Sequence, residues 1–429
     1  MSKYQQVLRD EDPRIAAVFD LEGEQAHSGY EVIEDPFPGL ARLLAEAPVH
    51  EGSLADLMGY DASAGFHFYI PGRTTYTTFS FEATSQVLLK NEIFSSKIYE
   101  ELGTESAQFN NTILQKVGTE HRQLRTPLQQ YFTPQMAATW WNDLVIKETV
   151  DILVSKIEGK GSADLNLELC ARMPVHVISV AFGIEPEDIV PFRVALNDGG
   201  NHNPAIRAAA QETSRQILEN LIRARRQEPR EDLVSKLIEA EIQVEGGGSR
   251  AFTDEEIINH IRLILAAGGA TTWRQLGITL FALLNHPDQM EAAKADRSLI
   301  PDMILESVRW HPTDLVFPRR AEKDVTLCGV DIPAGSMVQM CLGAANRDPS
   351  RWENPDKFDM FRPVQRSLGF AGGPHSCLGQ HVSRQEMLVA INAVFDRLPN
   401  LRWDKSKPAC QMVGSLFARG PSSLHVLFD

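Results

Sequence analysis

One cysteine, Cys377, stands directly after a loop holding Gly372, Gly373 and Pro374 and directly before apolar residues at Leu378, Val382, Leu388, Ile391, Phe395 and Leu398. That recurrence is near helical spacing, and the glycines and proline bar a regular helix upstream, so Cys377 is predicted at a helix N-terminus. Unpaired backbone N–H groups and the positive end of the helix dipole there favour a thiolate over a thiol, which suits a metal ligand. The glycines would let backbone amides or a flat ligand approach closely. Taken alone, a lone cysteine is more often a small buried apolar residue than a ligand; the pattern around it has to decide.

Three further stretches could do chemistry. His121 and Arg125 are four apart and share a helix face, where they could jointly meet a carboxylate or simply face water. In Ala266-Ala267-Gly268-Gly269-Ala270-Thr271-Thr272, two adjacent glycines each cost roughly 1 kcal/mol inside a helix. Either something large and flat packs there, or the helix opens locally, or another helix crosses tightly. Glu306 and Arg309, three apart, can pair on one helix face.

Together these stretches resemble the cytochromes P-450, the haem-thiolate monooxygenases, over about residue 36 to the C-terminus. Phe370, Gly373, His375, Cys377 and Gly379 fall on the family's cysteine loop, F-x-x-G-x-[H/R]-x-C-x-G, with Ala371 in place of its usual glycine. The resemblance makes Cys377 the axial ligand of a haem b (iron protoporphyrin IX). It makes His121, Arg125 and Arg319 contacts of the haem propionates, with Arg320 as a rival to Arg319. Residues 267–272 resemble the oxygen-binding groove A-G-x-[D/E]-T-[T/S], so Thr271 takes the place of the threonine that hydrogen-bonds dioxygen, beside Gly268. Ala270 occupies the place of the usual acid, which leaves proton delivery to an ordered water chain or another side chain. Glu306, Arg309 and Arg362 match the family's structural ion-pair set. By the same analogy Phe109, Leu263, Ala267, Val316, Phe317 and Leu416 would line the substrate pocket.

The elements that must position these groups are read from apolar spacing, which predicts a mainly helical chain. Helices are expected over residues 38–46, 82–89, 140–157, 165–182 and 207–226. The longest follows a capping box at Thr253 and Glu256; its apolar text over residues 257–284 would span about 45 Å as a central, buried helix. Residues 66–70 and 75–79 read as a hairpin, and 324–328 and 337–342 as short strands. Residues 91–112 read as a long ligand-lining loop and 183–205 as a mobile lid between helices. The expectation is the cytochrome P-450 fold: one mainly α domain over residues 1–429 with small peripheral β-sheets, residues 1–35 being an N-terminal wrapping segment.

Composition narrows the function classes. The chain has 429 residues, 43% of them hydrophobic, and a net charge of −15, which argues against nucleic acid as a main partner. The charged N-terminus lacks the apolar run of a signal peptide or membrane anchor, so a cytoplasmic protein without a membrane partner is expected, as a monomer. Five scattered cysteines without C-x-x-C spacing fit neither a disulfide framework nor a zinc site.

The resemblance implies insertion of one oxygen atom from O₂ into a small hydrophobic molecule, with electrons from NAD(P)H. No Rossmann fingerprint or iron–sulfur cysteine cluster is present, so a separate ferredoxin and ferredoxin reductase are expected to deliver them. Arg122, Arg366 and Arg384 would form the docking face. Ala270 keeps a second reading open, in which peroxide drives the reaction or a substrate is rearranged without oxygen insertion. A non-catalytic haem sensor is the third.

Overall fold

The computed structural model describes residues 3–9, 32–61, 68–102, 110–199, 201 and 203–429. At its centre is the helix Asp254–Asn285, 32 residues long. Its start is fixed by the expected capping box: the Glu256 amide donates to the Thr253 hydroxyl (3.1 Å), and the Thr253 amide donates to the Glu256 carboxylate (2.9 Å). Pro287, which cannot continue a helix, opens the next one, Pro287–Ala295. Apolar residues occupy nearly every face of the central helix, from Ile257 and Ile261 to Leu276 and Leu283, because helices Arg172–Phe182, Pro204–Gln227, Ile300–Trp310 and Gln380–Arg397 pack around it. The largest apolar cluster joins these helices through Trp141, Leu153, Phe182, Leu280, Met387 and Ile391.

Beside this helical body lies a five-stranded sheet in the order Val49–Glu51, Thr75–Thr78, Met337–Cys341, Val316–Ala321, Phe94–Ser95. Val338 pairs with Arg319 and Met340 with Phe317 across its antiparallel centre, so this register sets which side chains of Val316–Ala321 turn toward the helices. Smaller sheets join Ser162–Asp164, His425–Leu427 and Arg402–Trp403, and pair Met412–Gly414 with Arg419–Pro421.

Several expectations need correction. Thr75–Thr78 pairs with Val49–Glu51 and Met337–Cys341; residues 68–70 form no strand, and the rest of the expected first hairpin arm lies outside the described residues. The supposed lid at 183–205 contains the helix Ile189–Asp198, which buries Phe192, Ala195 and Leu196. Its polar tail had masked that apolar face. Within the expected helix 140–157, residues Ala137–Ile146 adopt the wider π form before an ordinary helix, Lys147–Ile157. The N-terminal wrapping segment falls largely on residues outside those described; the helix Lys3–Arg9 contacts Lys147–Ile157. All five cysteines are free, and no described helix is long and apolar enough to cross a membrane.

Candidate active site

The central helix, the strand Val316–Ala321, the glycine-rich loop before Cys377 and the helix Gln380–Arg397 enclose a cavity of about 320 Å³. Cys377 opens onto it three residues before its helix, with its amide donating to the Phe370 carbonyl (3.0 Å). Burial pushes its thiol up, and the Gly379 and Gln380 amides and the Arg125 charge offset this only in part. The helix-end polarity expected from the sequence is therefore present, but in the protein chain by itself desolvation outweighs it.

The loop is held to one shape by backbone contacts. Gly373 has φ 67°, and a Cβ there would lie 2.3 Å from the Leu88 carbonyl oxygen. Ala371, standing where the motif has glycine, is also left-handed at φ 55°, a conformation that costs a non-glycine residue roughly 1–2 kcal/mol. Gly379 differs from both. Its φ of −84° suits any residue, yet a Cβ would meet nothing within 4 Å, so a side chain there would enter the space beside the sulfur.

At one end of the cavity four basic groups converge, with no acid paired to them among the described residues. Arg319 and His375 reach it from the sheet and the cysteine loop, and Arg125 from the helix Gly118–Gln129. The His121 ring lies behind, 4.2 Å from that of His375. Arg125 donates to the Ser376 carbonyl (2.7 Å), and Arg319 to the Pro318 carbonyl (2.8 Å). Burial and the neighbouring guanidiniums push His121 down to about 4 and His375 down to about 2, so both are neutral. His121 Nε2 is buried with no hydrogen-bond partner among the described residues. Arg320, its rival in the sequence, turns instead to Glu101 and Glu322. A cluster of this kind fits a ligand with carboxylates.

The opposite wall comes from the central helix. Leu263, Ala267 and Thr271, at intervals of four, face the cavity, and the Thr271 hydroxyl donates to the Ala267 carbonyl (2.8 Å). Gly268 touches the cavity edge, but a Cβ there would lie 2.6 Å from Ile178 Cδ1, so the glycine serves a tight helix crossing. Ala270 is outside the lining, and its carbonyl accepts from Arg274 (2.8 Å).

Phe317 lines the cavity as expected, whereas Val316 and Leu416 do not. Both pack with Phe37, Leu40 and Leu315 in a separate core cluster, because the strand's register turns Val316 away. Phe109 lies outside the described residues. Among the lining residues the sequence did not single out are Tyr99, pushed up to about 12 by burial, and the carboxyls Asp314 and Glu386. Away from the cavity, Arg309 grips Glu306 with two bonds of 2.7 Å and donates to the Asn346, Pro355 and Lys357 carbonyls, while Arg362 adds a 3.3 Å contact to Glu306. This buried pair fixes the segment that leads into the cysteine loop.

The fit to haem rests on these features. Among the described residues no cluster of three His, Cys, Asp or Glu could hold a bare metal ion. Cys377 could ligate a metal carried in a macrocycle: Gly379 leaves the space for a flat one, and the basic cluster suits its carboxylates. These features fit a haem held by a thiolate. The sequence profile of the family Cytochrome P-450 matches residues 187–427. The chain is 34% identical to cytochrome P-450 107B1 of Saccharopolyspora erythraea, over 66% of this chain and 69% of that one. It is 31% identical to the polyketide biosynthesis cytochrome P-450 PksS of Bacillus subtilis, over 71% and 75% respectively. The PksS structure superposes with a TM-score of 0.80, covering 92% of this chain and 97% of that one. The structure of P450BioI, a complex with an acyl carrier protein ligated to hexadec-9Z-enoic acid, gives a TM-score of 0.79 at 25% identity, covering 92% and 99%. The chain belongs to the cytochrome P-450 family: it is an oxidoreductase of the monooxygenase class, with a cysteine-ligated haem.

Proposed function

We propose that the protein inserts one oxygen atom from O₂ into a small, largely apolar organic molecule, using a haem b ligated by Cys377. The observation that carries this reading is that Cys377 and Thr271, from separate elements, open onto one mainly apolar cavity with Arg125, Arg319 and His375 at its end. Bound there, haem supplies oxygen activation, with the thiolate donating electron density toward O–O cleavage. Arg125 and Arg319 would hold its propionates, with His121 and His375 beside them. The Thr271 hydroxyl, which donates to the Ala267 carbonyl one turn away, would turn its Oγ1 proton into the cavity instead. Leu263, Ala267 and Phe317 would orient the substrate and exclude water.

Electrons would come from NAD(P)H through a ferredoxin and its reductase. Arg122 and Arg366 are exposed and Arg384 half-buried, and Phe361 and Val364, close to Arg366 in the chain, are exposed as well, which supports a docking role for them. Ala270 supports a second reading, in which peroxide replaces O₂ and the electron chain. The test is the ferric absorption spectrum of the purified protein during titration with terpenoids, aromatics, fatty acids and steroids. A haem-thiolate Soret band that moves to the high-spin position with one class supports the reading and names that class. A well-folded protein without a haem band refutes it. Turnover with peroxide alone would select the second reading.

A further inference from the structure

The approach to the strand Val316–Ala321 carries a side chain that the function above leaves unused. Asp314 lines the same cavity as Ala267, Thr271 and Phe317. Its backbone is placed by a bridge to Ala418, and its neighbour Thr313 donates to the Thr271 carbonyl (3.4 Å) and the Gln275 amide oxygen (3.2 Å). The Asp314 carboxyl itself forms no hydrogen bond among the described residues. Arg274 is the cation whose charge acts on it, and that guanidinium donates to the Ala270 carbonyl and lies 4.8 Å from the Trp273 ring centre.

A carboxyl drawn out of bulk water without a hydrogen-bond partner costs free energy, and desolvation in the cavity pushes the half-buried Asp314 up to about 7. Packing alone would be served by an apolar side chain. The cavity's other carboxyl, Glu386, sits among Val382, Ser383 and Met387 on the helix after Cys377. Asp314 instead adjoins the residue bonded to Thr271, and two aromatic side chains, Phe317 and Tyr99, share its cavity. A carboxylate with aromatic faces in an apolar enclosure attracts a cation through both its charge and the ring quadrupoles. We propose that Asp314 selects substrates carrying a cationic nitrogen on an otherwise apolar body, an inference that rests on the monooxygenase reading of this site.

The test uses the haem-loaded enzyme and two probes, 4-phenylbutyltrimethylammonium and its neutral isostere with carbon in place of nitrogen. The quaternary nitrogen has no lone pair, so it cannot ligate iron. Calorimetry gives both dissociation constants, and absorption spectra of the same samples report the thiolate ligand. The wild type should bind the cation about tenfold more tightly than the isostere, and Asp314→Asn should abolish that preference while shifting the isostere by less than about twofold. Phe317→Leu should reduce the preference about threefold, which keeps the idea testable should the first variant misfold. A wild type that fails to bind the cation, or binds the isostere equally well, overturns the proposal, as does an Asn variant that keeps the preference. A normal thiolate spectrum in that same sample would leave the monooxygenase reading standing, and a missing one would refute that reading separately.

Discussion

The Arg125 guanidinium donates to the Ser376 carbonyl across 2.7 Å, tying the helix that carries His121 to the residue immediately before Cys377. One side chain thus braces the sulfur's loop and contributes charge to the basic end of the cavity. A hydrogen bond from a charged donor contributes about 1.5–3 kcal/mol. Arg125→Ala should therefore weaken haem retention by about 10- to 100-fold, measured as haem transfer to an excess of a scavenging protein. Retention equal to wild type would remove Arg125 from the site.

Gly373 and Gly379 should respond to alanine in opposite ways. At Gly373 the methyl would collide with backbone at Leu88 in a left-handed conformation, so Gly373→Ala should lower the stability of the apoprotein by about 2–3 kcal/mol in urea denaturation. Gly379→Ala should leave apoprotein stability within about 0.5 kcal/mol and impair haem uptake instead. Equal effects on stability would show that the space beside Cys377 has no such role.

The Glu306–Arg309 pair is buried and doubly bonded, so removing one partner strands the other charge. Arg309→Met should destabilise the fold by about 3–5 kcal/mol. Arg362→Met, which loses the longer contact to Glu306 and exposed bonds to the Glu353, Asn354 and Lys357 carbonyls, should cost less, about 1–2 kcal/mol. Chemical denaturation of the two variants reads both, and the reverse order would contradict the geometry.

Glu386 makes stability depend on pH. Burial raises it from 4.5 to about 8, so between those values the folded chain keeps a proton that the unfolded chain releases. Its contribution to stability must then fall as pH rises through that window and level off above about 8. The depressed histidines His121 and His375 act in the opposite direction at lower pH, so the difference between wild type and Glu386→Gln isolates this group. The glutamine variant should gain on wild type steadily from pH 5 to 8, followed by thermal unfolding of the apoprotein. A pH-independent difference would show that the carboxyl finds a partner.

What was legible in the sequence was local. The capping box at Thr253, the i, i+3 pair at Glu306 and Arg309, and the loop before Cys377 each need only a few neighbouring residues, and all three take the expected form. Long-range register was less accessible. Val316 and Phe317 are equally apolar in the text, and only their pairing with Cys341 and Met340 decides that Phe317 meets the cavity while Val316 meets Leu40 and Leu416. The purpose of Gly268 likewise depended on a distant partner, Ile178. Asp314 was overlooked because one acid in an apolar stretch gives no periodic signal.

The basic end of the cavity has a consequence for how long the protein survives. His121 and His375 are held neutral by burial and by Arg125 and Arg319, two guanidiniums that are themselves desolvated. The apoprotein carries that desolvation as a standing destabilisation, and a dianionic macrocycle would offset it only in the folded state. Binding at a hundredfold excess over Kd adds about 2.7 kcal/mol to folding stability. Copies that have not acquired haem should be the first to unfold and be degraded, so cofactor supply in the cell would set the abundance of the enzyme as well as its activity.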